Sequence, residues 1–305
     1  MNSTSVKSGA VRWHRDPQVI PWRYIVIVLM VAACGLWLAL QVGPTTFPSL
    51  DLDTYQSAGH GLTEAGDPYR RNHISGVETQ YRYPPLLAML MPVLGWPPVW
   101  YALLGLATLV PLWIGRRERG EAGLLLPLAL TGLWGQQLIN GNAQAIVIAL
   151  LAIVPFHRRA GAVGLAIATM IKVHPAVAAL WYVGKRDWVA LKWFIGACLV
   201  LILIQAPYLP PFFDYLNDLE TNDLPVGLSL RALGVVPWVI ICAGLSWIAY
   251  RKSLKRDGWG WMVLLQLVTL PRLLLVNIVL LLAAPGRIEI DPAPLTRNGS
   301  TRPTK

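Results

Sequence analysis

Charge is scarce in this chain. Lys, Arg, Asp and Glu make up 14% of its 305 residues, against about 25% in an ordinary soluble domain. That is too little charge to cover the surface of a soluble fold of this length, so a soluble enzyme and a disordered chain are both excluded. Cysteine is scarce as well. Cys34, Cys198 and Cys242 each lie inside an apolar run, which excludes a disulfide scaffold built on paired cysteines in polar segments. No Gly-rich phosphate loop, zinc-ligand spacing or Ser-His-Asp pattern is present either.

What is present is apolar. Hydrophobic residues make up 55% of the chain and the mean hydropathy is +0.49. These values predict an all-α, polytopic integral membrane protein. The net charge of +10 fits cytoplasmic loops enriched in Lys and Arg better than nucleic-acid binding, and no nucleic-acid partner is expected. Residues 1–20 are polar, carry Lys7, Arg12 and Arg15, and read as a cytoplasmic tail. The apolar run from about Pro21 to Val42 is too long for a signal-peptide core and is expected to stay as a first membrane anchor.

Further apolar segments at about 83–95, 97–115, 122–138, 143–156, 161–183, 188–208, 228–250 and 259–284 give about nine transmembrane segments between 21 and 285. Several are shorter than the ~18 residues a span in bare lipid needs, and such helices survive where protein surrounds them. Two stretches read as external loops. Residues 43–82 carry five acids and three bases, and residues 209–226 carry four acids and no base. Asp51–Ala65 within the first loop reads as an amphipathic helix on the membrane surface. Residues 286–305 read as a disordered tail.

Charge leaves the path between the two loops open. Six single crossings satisfy parity but place Arg116, Arg117, Arg119, Arg158 and Arg159 outside. Alternatively, 83–115 crosses once overall and 161–183 dips in and returns, which keeps those arginines inside.

Candidate chemistry concentrates in a few polar residues. Asp51 and Asp53 stand directly after the first span, where a carboxylate can take a proton from an attacking sugar hydroxyl. Tyr83-Pro84-Pro85 starts the next helix, since proline is tolerated in a first helical turn. Tyr81 and Arg82 precede it. Asn142 and Gln144 belong to an amide-rich stretch between two spans and can either bind sugar hydroxyls or cap helices. Lys172, followed by His174 and Pro175, lies inside an apolar run. A lysine at mid-membrane costs on the order of 2.5–3.5 kcal/mol, so a partner is required. Arg272, after the helix-breaking Pro271, is a second cation of the same kind.

These residues, in this order, resemble the bacterial polyprenol-phosphate-sugar-dependent glycosyltransferases of the GT-C superfamily, in particular the mycobacterial polyprenol-phosphate-mannose-dependent alpha-mannosyltransferases. The resemblance rests on Asp51 with Tyr55 four residues on, Gly66-Asp67-Pro68-Tyr69, Tyr83-Pro84-Pro85, Gly141-Asn142-Ala143-Gln144, Lys172 with Pro175, and Pro271-Arg272. Arg82 stands where the family has an aromatic residue, the two amides are exchanged, and no histidine follows His174. The resemblance implies a GT-C-like fold and inverting transfer of a mannose-like hexose from a polyprenyl-phosphate donor to a glycolipid or polysaccharide acceptor, by a monomer on the outer face of the bacterial cytoplasmic membrane. Asp51 or Asp53 is then the general base, and Lys172, His174 and Arg272 hold the donor phosphate. Tyr55, Arg82, Tyr83, Asn142 and Gln144 line the sugar site, and neither a metal nor another cofactor is called for. Its six crossings between the loops favour the first of the two paths. A transporter or flippase of a lipid-linked sugar is the alternative.

Overall fold

The computed structural model describes residues 50–74, 77–222, 235–253, 258–270 and 275–284. The expected first span, the two tails and Arg272 lie outside the described residues. The described residues are mostly helical, with one two-stranded antiparallel hairpin among them that the all-α expectation lacks.

Helix α1, Leu50–Ala65, carries Asp51 and Asp53 in its first turn, where acids favour the helix dipole. It buries Leu52, Tyr55, Ala58, Gly59 and Leu62, the three-and-four spacing of a single helix face. That face packs on α2, Pro85–Leu94. The hairpin of β1, Arg71–Ile74, and β2, Val77–Gln80, lies between them in the chain, with Arg71 opposite Gln80. Its strands are polar, so no apolar alternation announces them. Proline opens α2 and also α3, Pro97–Arg119, where a missing N–H costs nothing.

After α3 the chain runs through a 3-10 turn, Gly120–Leu124, into α4, Leu125–Ala129, and α5, Thr131–Ile139. Helix α6, Gln144–Ile153, and α7, Arg158–Ile171, follow. Helix α7 stops at Lys172, which is extended, and Pro175 then opens a 3-10 helix, His174–Ala179, leading into α8, Leu180–Gly184. Asp187 caps α9, Trp188–Gln205, by accepting from the Ala190 N–H at 3.0 Å. A 3-10 turn, Ala206–Tyr208, links α9 to α10, Leu209–Asn222. The stretch expected as a second external loop is therefore helical as far as Asn222. Its acids mask a helical apolar face that includes Phe212 and Tyr215, which meet the Tyr69 ring just before the hairpin. Helix α11, Val235–Ser253, α12, Trp259–Thr269, and a 3-10 helix, Leu275–Ala283, complete the fold.

Among the described residues, two helices are long and apolar enough to cross a membrane: α3, with 23 residues, and the continuous stretch Trp188–Leu216, with 29. Helix α9 buries only Ala190 and Gln205, and its Leu203 is 72% exposed, so apolar surface faces outward along its length. The other apolar helices are shorter and pack into a common core around Trp100, Ile148, Leu151, Leu165 and Leu280.

Side-chain contacts fix which way each helix runs. The indole of Trp100, early in α3, donates to the Gly141 carbonyl at 2.8 Å, and the Tyr101 hydroxyl donates to the Ile139 carbonyl at 3.0 Å. The start of α3, the end of α5 and the start of α6 therefore share one end of the molecule. Helix α7 arrives at the same end with Lys172. Arg158, at the opposite end of α7, bonds Asp187, so the chain between them goes out and comes back.

Candidate active site

Four segments far apart in sequence meet at the shared end. The first turn of α1 is anchored there because the Asp51 and Leu52 N–H groups both donate to the Asn140 carbonyl, at 3.0 and 3.2 Å. These are donors that a helix start leaves without internal partners. Gly141 makes the approach possible. Its φ is +71°, and a Cβ there would stand 2.7 Å from the Leu52 Cβ, so only glycine fits.

Asn142 is the junction of the cluster. Its Nδ2 donates to Asp51 Oδ2 at 2.8 Å. Its Oδ1 accepts from Lys172 Nζ at 3.0 Å and from the Gln144 N–H at 2.8 Å. Gln144 Oε1 accepts a second bond from Lys172 Nζ at 2.8 Å. The acid and the cation are thus joined through an amide rather than paired directly. The ammonium also lies 5.0 Å from the centre of the Tyr83 ring, within range of a cation–π interaction. Two amide oxygens satisfy two of its three donors. Lys172 is 8% exposed, and its hydrogen-bond partners are neutral, so its charge is not neutralised by a direct ion pair.

Burial pushes the Asp51 carboxyl up from its ordinary range, while the Lys172 charge and the Asn142 hydrogen bond pull it back without cancelling the rise. A carboxylate made more basic in this way suits proton abstraction. Tyr55, one turn on from Asp51, receives the Ala143 N–H at 3.4 Å and packs edge-on against Tyr81, Tyr83 and Trp100. His174 follows Lys172 after one residue, and its Nε2 is buried with no hydrogen-bond partner.

The structure therefore brings together Asp51, Tyr55, Tyr83, Asn142, Gln144 and Lys172, with His174 beside them in the chain. It does not bring Asp53 to Lys172. Two residues along a helix turn the side chain by about 200°, and Asp53 acts electrostatically on Tyr101 instead. Arg82 is exposed, and its charge acts on Tyr83. Arg272 lies outside the described residues.

Sequence reasoning missed the supporting part played by three residues. Trp100 holds the 139–141 turn, and the signal was an indole N–H in an apolar run that needs a partner. Tyr81 donates to the Pro84 carbonyl at 2.7 Å and accepts from the Ala88 N–H at 3.2 Å, fixing the start of α2. Gln205, 1% exposed at the end of an apolar helix, accepts the Leu86 N–H at 2.8 Å. Among the described residues no group of three or more His, Cys, Asp or Glu is placed to hold a metal ion. Comparison of the chain with protein-family models, with curated proteins and with solved structures gives no match.

Proposed function

We propose that the chain is an integral-membrane glycosyltransferase of GT-C-like architecture, with about nine membrane-embedded segments. It transfers a mannose-like hexose from a polyprenyl-phosphate donor to a glycolipid or glycan acceptor at the outer face of the bacterial cytoplasmic membrane. One observation carries the reading: a half-buried carboxylate and a buried ammonium share one amide, Asn142, where a surface helix meets the ends of apolar helices.

In this reaction the acceptor hydroxyl oxygen attacks the anomeric carbon as its proton passes to the Asp51 carboxylate. The bond between that carbon and the phosphate oxygen breaks, and its electron pair leaves with the polyprenyl phosphate. The remaining ammonium hydrogen of Lys172 faces the charge that grows on the leaving oxygen, and His174 Nε2 offers a further polar contact. Fixed charge at the point where charge develops is a large source of rate enhancement. Tyr55 and Tyr83 supply aromatic faces for the sugar.

The test is incubation of the purified chain with a labelled polyprenyl-phosphate hexose and a lipid acceptor. Release of polyprenyl phosphate with labelling of the acceptor supports transfer. A transporter or flippase of the same lipid is the second reading, favoured by the location of Lys172 at a helix break. It predicts movement of the labelled lipid between leaflets with its sugar–phosphate bond intact.

A further inference from the structure

The end of the helices opposite the Asp51–Lys172 cluster has a composition of its own. Helix α3 begins at the cluster through Trp100, so Arg117, 17 residues later, lies about 25 Å away along the helix. Helix α7 ends at the cluster, so Arg158 and Arg159 lie about 20 Å back along it. Asp187 bonds Arg158 and brings Lys185 and the start of α9 to the same level. The Trp181 ring meets that of Trp259 at 5.6 Å, which adds the start of α12.

Ten Lys and Arg residues among those described gather here, at 116, 117, 119, 158, 159, 185, 186, 192, 251 and 252. Five of them lie over tryptophan rings. Arg117 is over Trp113 at 5.4 Å, Lys185 over Trp181 at 4.7 Å and Arg251 over Trp247 at 5.7 Å, each one helical turn apart. Arg159 is over Trp193 at 5.7 Å and Lys252 over Trp261 at 5.5 Å, joining neighbouring elements. Acids at this end include Glu118, 4.0 Å from Arg117, Asp187, bound to Arg158, and Glu121 in the 3-10 turn that follows α3.

Tryptophan belongs at the level of lipid headgroups, and a Lys/Arg excess marks the cytoplasmic side. Cations there are drawn to anionic lipid. Two further contacts close the path of the chain at this level. The Arg158–Asp187 pair joins the two ends of residues 158–187. The Trp259 indole donates to the Ala283 carbonyl at 2.8 Å, joining the two ends of residues 259–283.

We infer that this end is a headgroup-binding belt for anionic phospholipid on the cytoplasmic leaflet, from which residues 158–187 run to the cluster end and back as a helical hairpin. Helix α2 stays beside α1 at the cluster end and crosses nothing. Residues 158–187 then leave and return to the same side, and these ten cations all lie inside. This replaces the path in which six single crossings put Arg117 and Arg159 outside. It does not depend on transfer chemistry, and its test has no activity readout.

The full chain is made with its native cysteines replaced by alanine and one cysteine returned at a time, as R70C, R117C, R159C or R251C. Intact cells and permeabilised cells are treated with a membrane-impermeant maleimide. R70C is expected to label in intact cells, and the other three only after permeabilisation. Labelling of R117C or R159C in intact cells together with R70C overturns the inference. In a second arm, wild type and the R117Q/R159Q/R251Q variant are extracted from vesicles of phosphatidylglycerol and phosphatidylethanolamine, and retained lipid is counted by native mass spectrometry. Circular dichroism shows that the variant is folded. Retention of phosphatidylglycerol is expected to weaken about fivefold per cation removed, with phosphatidylethanolamine unchanged. Equal retention of phosphatidylglycerol by both proteins overturns the belt.

Discussion

Arg158 and Asp187, 29 positions apart, are joined by a guanidinium–carboxylate pair with Nη2 to Oδ1 at 2.6 Å. Helix α7 and the cap of α9 therefore start from the same level. Partial burial pushes the Asp187 carboxyl up, but the Arg158 hydrogen bonds and the Ala190 N–H outweigh it and hold the group below its ordinary value. A depressed carboxylate stabilises the fold above the unfolded pKa, and that contribution is lost as pH falls through the folded value. Arg158→Gln is expected to cost up to about 1 kcal/mol at pH 7, the partial exposure of both groups being taken into account. The difference in unfolding midpoint between variant and wild type should shrink as pH falls through the depressed Asp187 value and disappear once the carboxyl is protonated in the folded state. Thermal unfolding in detergent at several pH values checks it, and an unchanged difference at low pH assigns the effect to packing.

Asp51 and Asp53 separate cleanly in the structure. Asp51→Asn is expected to lower hexose transfer by about 10²–10⁴-fold, while Asp53→Asn stays within a few-fold of wild type. Because burial raises the Asp51 carboxyl, the acid limb of the wild-type rate profile should lie above the usual carboxylate range, with activity lost as pH falls through it. Asn142→Ala removes a hydrogen bond that favours the carboxylate and should move that limb to higher pH. Full activity in Asp51→Asn sinks the assignment.

Lys172 is held by neutral oxygens, so its charge is available to a ligand. Gln144→Glu places a carboxylate where Gln144 Oε1 now accepts the ammonium. Donor binding should weaken by at least about tenfold through competition for the cation, while the unfolding midpoint holds or rises. Titration with a polyprenyl phosphate, read by tryptophan fluorescence, measures this. Undiminished affinity with retained fold removes Lys172 from the phosphate site.

Gly141 carries the turn that seats α1. Gly141→Ala combines a left-handed backbone with a close approach to Leu52 and should cost about 1–3 kcal/mol. It should also separate Asn142 from Asp51, so transfer falls with stability. Gly66 has a φ of +70° and open space on the side where a Cβ would stand, so Gly66→Ala should cost only about 1–2 kcal/mol and leave transfer intact. Unfolding midpoints and transfer rates of the two variants, measured side by side, check the contrast.

Much of the cluster is legible in the sequence because polar groups in apolar runs must find one another. Lys172 and the amides at 142 and 144 are conspicuous for that reason, and Asp51 with Tyr55 shares a helix face by spacing alone. The same spacing argues against Asp53, although two acids side by side in sequence read as equivalent. The hairpin is not legible, because its strands are short and polar. Helix α10 reads as loop because its acids hide the apolar face that meets Tyr69. The direction of each helix depends on contacts such as Trp100 with Gly141 and Arg158 with Asp187, which join residues at no characteristic spacing.

The Asn140 carbonyl that seats Asp51 and the lysine that completes its surroundings also set an order of birth. Asp51 emerges from the ribosome 121 residues before Lys172. At about 5–20 residues per second, the carboxylate waits on the order of ten seconds for its last partner. At the start of that interval α1 has neither its anchor nor its counter-charge. The cluster is therefore complete only after α7 has been delivered, and a chain arrested before that point carries Asp51 without Lys172.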